Sequence, residues 1–276
     1  MIGTGGDGLL ERCQRPQPLA QLPAGAWHGL HGLMTDIDDT LTRDGAIEPQ
    51  ALQALQALGK AGVPVIAITG RPHGWSVPFA ARWPVAAIVA ENGSVALIRD
   101  GAEVRTEFAQ DEHTRAHNAQ RLQQVASEVL RRVPGATLAR DSPGRLTDIA
   151  IDHSEFTRLD AGAIEQVVAV MREGGMTATV SSIHVNGWFG EHSKWTGAQW
   201  MVQRLFGRRL DAEVDRWVYV GDSTNDQAMF ERFPQAVGVA NLMHFASQLH
   251  TWPRWITHGE RGAGFAEVAD AVLARR

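Results

Sequence analysis

The sequence predicts an α/β fold: a parallel sheet with helices on both faces, interrupted by an inserted α+β module. Three observations carry this. From Leu30 to Ala90 short apolar runs alternate with segments of helical period, the rhythm of strand–helix–strand units. Over residues 98–186 that rhythm gives way to a hairpin, a polar helix and half-buried strands. From residue 187 onward it returns. The expected organisation is a flexible tail at 1–26, a core made of 27–97 and 187–276, and an insert at 98–186.

The elements follow in order. Gly3, Gly5, Gly6, Gly8, Pro16, Pro18 and Pro23 punctuate the start, so loose packing is expected until about Trp27. Leu30–Ile37 reads as a strand that ends in acids. Leu52, Leu55 and Leu58 mark a helix over Pro49–Ala61 that Gly62 stops. Val63–Ile68 and Val85–Ala90 are apolar, β-branched runs, and Pro64 is tolerable at a strand start. Val95–Ile98 and Glu103–Thr106 flank Asp100-Gly101 as a hairpin. A polar helix is expected at Asp111–Arg132, a strand at Leu146–Ile151, a helix over 157–172, and strands at Thr177–Val180 and Ile183–Val185. The core resumes with helices over 193–206, 224–232 and 262–275, and strands at Trp217–Val220 and Ala236–Val239.

Composition removes several classes of function. A chain of 276 residues can bury a sizeable core, and its lone cysteine, Cys13, excludes an intrachain disulfide and a cysteine-rich zinc module. Lys and Arg number 26 against 31 Asp and Glu, net −5, which argues against nucleic-acid binding through bulk charge. No apolar run approaches the ~20 residues that span a bilayer. The N-terminus lacks a basic start followed by an apolar stretch, so a cytoplasmic protein without nucleic-acid or membrane partners is expected.

The chemistry concentrates at strand ends. Asp36-Ile37-Asp38-Asp39-Thr40 follows the first strand. In an extended segment residues i and i+2 share a face, so Asp36 and Asp38 should point together. Two close carboxylates are costly unless a cation or proton relieves them. Val65–Ile68 leads into Thr69-Gly70-Arg71, and Trp217–Val220 into Gly221-Asp222-Ser223-Thr224-Asn225-Asp226. Lys194 opens a helix 28 positions before Asp222. The carboxyl ends of strands form the ligand crevice of open α/β sheets.

These four pieces, in this order, resemble the haloacid dehalogenase-type phosphatase superfamily over about residues 33–276. The resemblance implies a Rossmann-like core. The gap from Thr69 to Lys194 would hold a type-2 cap. That pattern, with Glu91-Asn92-Gly93 before it, resembles the IIB branch of Cof-like, sucrose-phosphate and mannosyl-3-phosphoglycerate phosphatases. By the same resemblance Asp36 is the nucleophile, Asp38 the acid and base, and Thr69 and Lys194 hold phosphate charge. Asp36, Asp222 and the backbone carbonyl of Asp38 would bind Mg²⁺, with Asn225 and Asp226 as ligands or support. Ionised Asp36, Asp222 and Asp226 with a phosphate dianion sum to about −5, which Lys194 and Mg²⁺ reduce by about 3.

Other residues carry weaker expectations. Gly70, Arg71, Asn92, Arg145, His184 and Asn186 are candidate substrate contacts, with Arg71 equally suited to capping the next helix and Asp148 named beside them. Asp39 should face away to solvent or a turn, and Thr40 should stabilise the loop. His113 and His117 have a zinc-like i, i+4 spacing but no third ligand, so a solvated helix face is expected. Trp75 is a better stacking candidate than Trp188, Trp195 or Trp200. The reading is a Mg²⁺-dependent phosphatase for a small phosphorylated metabolite, a sugar phosphate or a glycosylated phosphoglycerate, working as a monomer or homodimer. The alternatives are a phosphosugar mutase of the same superfamily and a phospho-receiver switch, which the chain length and the acidic cluster after Lys194 disfavour.

Overall fold

In the computed structural model the described residues are 15–101 and 103–275. In chain order the elements begin with β1 (Gln17–Pro18), β2 (Gly32–Thr35), β3 (Thr42–Arg43), β4 (Ala46–Ile47) and α1 (Pro49–Lys60). Next come β5 (Val65–Ile68), α2 (His73–Arg82), β6 (Ala87–Ala90), β7 (Val95–Asp100), β8 (Glu103–Phe108) and α3 (Glu112–Arg132). They continue with β9 (Thr137–Leu138), β10 (Asp148–Asp152), α4 (Ala161–Glu173), β11 (Thr177–Val180), β12 (His184–Trp188) and α5 (Lys194–Phe206). The last are β13 (Trp217–Gly221), α6 (Gln227–Arg232), β14 (Ala236–Gly238), β15 (Trp255–Ile256) and α7 (Arg261–Leu273). Two compact units result, one of Met1–Val63 with Glu213–Arg276, the other of Pro64–Ala212.

The first unit holds parallel strands in the order β1-β15-β14-β13-β2. Leu33, Met34, Trp217, Tyr219 and Trp255 on these strands are fully or almost fully buried, as β-runs covered on both faces require. Helices α1 and α7 pack on one another, and Ala51, Leu55, Phe265 and Val268 are buried on their inner faces.

The segment 15–26 departs from the flexible tail expected there. Gln17 and Pro18 pair in parallel with Trp255 and Ile256, and Leu19 and Leu22 are 5% and 6% exposed. An edge strand tolerates proline because its outer N–H needs no partner. The two leucines supply apolar burial that a count of glycines and prolines does not weigh. Residues 1–14 of the expected tail lie outside the described residues.

The second unit holds two sheets. β5 and β6 are parallel, and β7 and β8 extend that sheet as an antiparallel hairpin. The expected insert boundary at residue 98 therefore falls inside β7. The other sheet is antiparallel throughout, in the order β11-β12-β10-β9. It has its own apolar core with α3 and α4, formed by Leu122, Val129, Ile151, Val167, Met171 and Val185 among others. Asp111 and Asp160 accept hydrogen bonds from Thr114 and Ala163 N–H and so cap these two helices.

Two short features had readable signals. Asp44-Gly45, both at positive φ (50° and 75°), turns β3 into β4 just after the Asp-rich loop. His113 and His117 are exposed on α3, as a solvated helix face requires. Among the described residues no helix is long and apolar enough to cross a membrane.

Candidate active site

In the first unit β2 and β13 are parallel neighbours that end together, with Thr35 opposite Val220. The N–H of Asp36 continues the ladder to Val220 O at 2.9 Å. The pairing thus brings Asp36 beside Asp222. Asp36, Asp222 and Asp226 are buried, and one carboxylate oxygen of each lies within 4.8 Å of the others. Gly221 permits this approach, since a Cβ there would sit 2.5 Å from the Asp226 carboxylate. An all-carboxylate, oxygen-only donor set suits a hard divalent cation and not a thiophilic one.

Neutral donors surround the cluster. Asp226 Oδ2 accepts from Asp222 N (2.9 Å) and Ser223 N (3.2 Å), and its Oδ1 accepts from Tyr219 Oη (2.5 Å). Burial, together with Asp226, Asp36 and Asp222, pushes the Tyr219 phenol well above its ordinary range, so it stays a donor. Asn241 Nδ2 donates to Asp39 O at 3.0 Å and approaches Asp222 Oδ2 at 3.4 Å. Asn225 Oδ1 accepts from Ser223 Oγ at 3.0 Å.

The remaining residues of the Asp-rich loop divide. Asp38 is half-buried in the turn after β2. Asp39 adopts a positive φ of 53° and its carboxylate pairs with Arg261 Nε at 2.7 Å, so it is a loop anchor. The Thr40 hydroxyl, expected to stabilise the loop, is buried with no hydrogen-bond partner, and the backbone does that work through Thr40 N and Leu41 N to Ile37 O.

The second unit gathers the other candidates. Thr69, at the end of β5, is buried, and its Oγ1 accepts from Arg71 N at 3.0 Å. Gly70 O accepts from Arg145 Nη1 (2.9 Å) and Asn186 Nδ2 (3.3 Å). Arg145 also holds both oxygens of Asp148 (2.9 and 3.0 Å) and reaches Asp141 at 3.1 Å. Asn92, at φ 56°, donates to Asp148 Oδ2 at 3.3 Å. Arg71 reaches Glu155 at 2.9 Å and Asp141 at 3.3 Å, and His184 Nε2 lies 3.0 Å from Glu155. The N-cap residue of α2, Pro72, supplies no side-chain cap. Its guanidinium lies 5.1 Å from the ring centre of Trp75, which packs with Phe79. All six candidate substrate contacts therefore share one network, tied together by Asp141, Asp148 and Glu155.

Environment sets the charges in that network. Burial pushes Asp148 up to about 7 against the pull of Arg145. Burial also raises Glu155, but hydrogen bonds from His184 and Arg71 overcome it and bring that carboxyl to about 2. Glu91, buried at φ 48°, accepts from His73 N, Leu146 N and Thr147 N and ties the strained turn to the segment before β10. Lys194 is buried in the first turn of α5, where Ser193 and Thr196 form a capping box.

Sequence reasoning missed Tyr219, Asn241, Arg261, Asp141 and Glu155. Tyr219 had one signal: a hydroxyl inside an otherwise apolar strand, two residues before Gly221-Asp222. Arg261 opens α7 and Asn241, Asp141 and Glu155 lie outside the strands and α-helices, and none of the four has a local pattern.

The chain is similar to known proteins over most of its length. The family model described as haloacid dehalogenase-like hydrolase matches residues 33–130. A curated phosphoglycolate phosphatase of Methanothrix thermoacetophila is 26% identical over 249 residues, covering 89% of this chain and 98% of that protein. The sucrose-phosphatase of Synechocystis sp. PCC6803, solved with sucrose and phosphate, superposes with a TM-score of 0.62 at 17% identity, covering 89% and 98% of the two chains. A haloacid dehalogenase subclass IIB sugar phosphatase does so with a TM-score of 0.59 at 14% identity, covering 88% and 99%. Over residues 33–130 the chain is thus similar to haloacid dehalogenase-like hydrolases. Its sheet with flanking helices and its additional antiparallel sheet match the fold of these two solved structures.

Proposed function

We propose that this protein is a Mg²⁺-dependent phosphatase that hydrolyses a small phosphorylated metabolite, a sugar phosphate or a glycosylated phosphoglycerate. The observation that carries the reading is the buried Asp36–Asp222–Asp226 cluster at the ends of two adjacent parallel strands. Three carboxylates so close need a cation, and the oxygen-only set favours Mg²⁺. Asp36, Asp222 and the carbonyl of Asp38 would hold it, with Asn225 and Asp226 completing or supporting the set. When bound, the ion would neutralise charge on the phosphate and the carboxylates.

The Asp36 carboxylate attacks phosphorus and forms an aspartyl-phosphate as the P–O bond to the alcohol breaks. Asp38 donates a proton to the departing alkoxide, then takes one from the water that hydrolyses the intermediate. Thr69, the Gly70 backbone and Lys194 stabilise phosphoryl charge. Residues 98–186 act as the cap that selects substrate; Arg145, His184 and Asn186 from it, with Arg71 and Asn92 from the core, are the specificity set. The protein works in the cytoplasm as a monomer or homodimer, without nucleic-acid or membrane partners.

The test is phosphate release from a panel of phosphorylated sugars and small acids, with and without Mg²⁺, for wild type and Asp36→Asn. Metal-dependent release that falls at least ~10³-fold in the variant is expected for loss of a covalent nucleophile. No release from any compound by folded wild type with Mg²⁺ overturns the reading. The same aspartyl-phosphate would serve a phosphomutase, and strict dependence on a bisphosphate activator would identify that activity.

A further inference from the structure

We propose that Tyr219 is a positioning residue for the cation site, acting through the Asp226 carboxylate. The inference rests on the cation reading above and goes beyond its ligand set. Tyr219 lies on β13, a central strand of the first unit, and is 0% exposed. Its ring packs against Phe230 and Phe233, with centroids 6.1 and 5.5 Å away, so the direction of its hydroxyl is set by packing. A phenol buried there is costly without an acceptor. The acceptor is Asp226 Oδ1 at 2.5 Å.

The accounting at Asp226 shows what this bond does. A carboxylate oxygen has about two acceptor positions. Two backbone N–H groups, Asp222 N and Ser223 N, occupy Oδ2. They pin that oxygen but leave the carboxylate plane free to swing about it. Tyr219 holds Oδ1 and so fixes the plane. The Asp226 carboxylate, one oxygen of which lies within 4.8 Å of oxygens of Asp36 and Asp222, is then held before any ion arrives. Pre-set ligands and their hydrogen-bond partners are worth about 10–100-fold in metal affinity.

Tyr219 is the only tyrosine in the chain, so it can be watched without mutation. The experiment is calorimetric titration of Mg²⁺ into metal-free full-length wild type, Tyr219→Phe, Asp226→Asn and the double variant, without substrate. Thermal unfolding in EDTA runs alongside. The lone ¹³Cζ-tyrosine NMR signal of wild type is followed through the same titration. Tyr219→Phe is expected to weaken Mg²⁺ binding about 10-fold. The same change should add little in the Asp226→Asn background, and the tyrosine signal should move with the wild-type Kd. An unchanged Kd in Tyr219→Phe, or a tyrosine signal that ignores saturating Mg²⁺, overturns the assignment. A lowered melting temperature in EDTA with an unchanged Kd marks a merely structural tyrosine and also overturns it. Wild type that binds no Mg²⁺ overturns the cation reading itself, a result the other outcomes do not mimic.

Discussion

His192 stacks on Trp188, with ring centroids 5.5 Å apart, and neither of its ring nitrogens has a hydrogen-bond partner. Burial lowers its pKa to about 4. The folded state therefore binds this proton less well than the unfolded chain. The stabilisation from a neutral His192 is complete above the ordinary histidine value of about 6.5 and is lost as pH falls towards 4. The full span is worth roughly 3 kcal/mol. His192→Phe replaces an unpartnered polar ring with an apolar one of similar shape. It should be neutral or stabilising at pH 7 and should flatten the stability curve between pH 6.5 and 4, measured by urea unfolding. A curve as steep as that of wild type would assign the loss to another group.

Two elements make opposite demands on backbone and side chain. The turn after β6 runs through Glu91, Asn92 and Gly93 at φ 48°, 56° and 109°. A Cβ at Gly93 would overlap the Ser193 carbonyl just before α5, and Gly197 on that helix packs against Gly93 in turn. Gly93→Ala is expected to cost roughly 2–4 kcal/mol and to lower the melting temperature by about 5–15 °C in a thermal scan. At the other edge of the chain, β1 depends on apolar anchors. Leu19→Ala and Leu22→Ala should each cost about 2–3 kcal/mol, read from denaturant midpoints. Substitutions without effect there would restore the picture of a loose segment.

At the scale of the whole molecule, two groups give acid sensitivity of the same sign. Glu155 at about 2 in the folded protein stabilises fully above its unfolded value and loses that contribution as pH falls through the folded one. It thus extends below pH 4.5 the decline that His192 begins. Asp148, at about 7, has the opposite sign and offsets the His192 decline, so the net loss in wild type should lie at the acid end, below pH 4.5, where Glu155→Gln should reduce it. Cation binding adds a separate control. At 100 times its Kd, Mg²⁺ should stabilise the protein by about 2.7 kcal/mol, and EDTA should reverse this. A melting temperature indifferent to both would remove the cation from the site.

Local patterns in the chain determined much of this. Period and punctuation placed β2, α1, β5, the β7–β8 hairpin, α3, α5 and β13 to within a few residues, because alternation and helical repeat act between near neighbours. The order of Asp36, Thr69, Lys194 and Asp222 was likewise readable, since each follows a strand or opens a helix. The grouping of Asp36, Asp222 and Asp226 followed from parallel pairing of two strands that the sequence placed but did not pair. What only the tertiary structure decided is which donors those carboxylates meet. Tyr219 meets Asp226 because β13 and the turn after Gly221 fold back on each other. Arg145 joins its near neighbours Asp141 and Asp148 to Gly70, 75 positions away, because segments far apart in the chain are packed together. Such partnerships carry no period. A buried charge or hydroxyl is paired by whatever the fold brings within reach, and that choice exists only once the chain has packed.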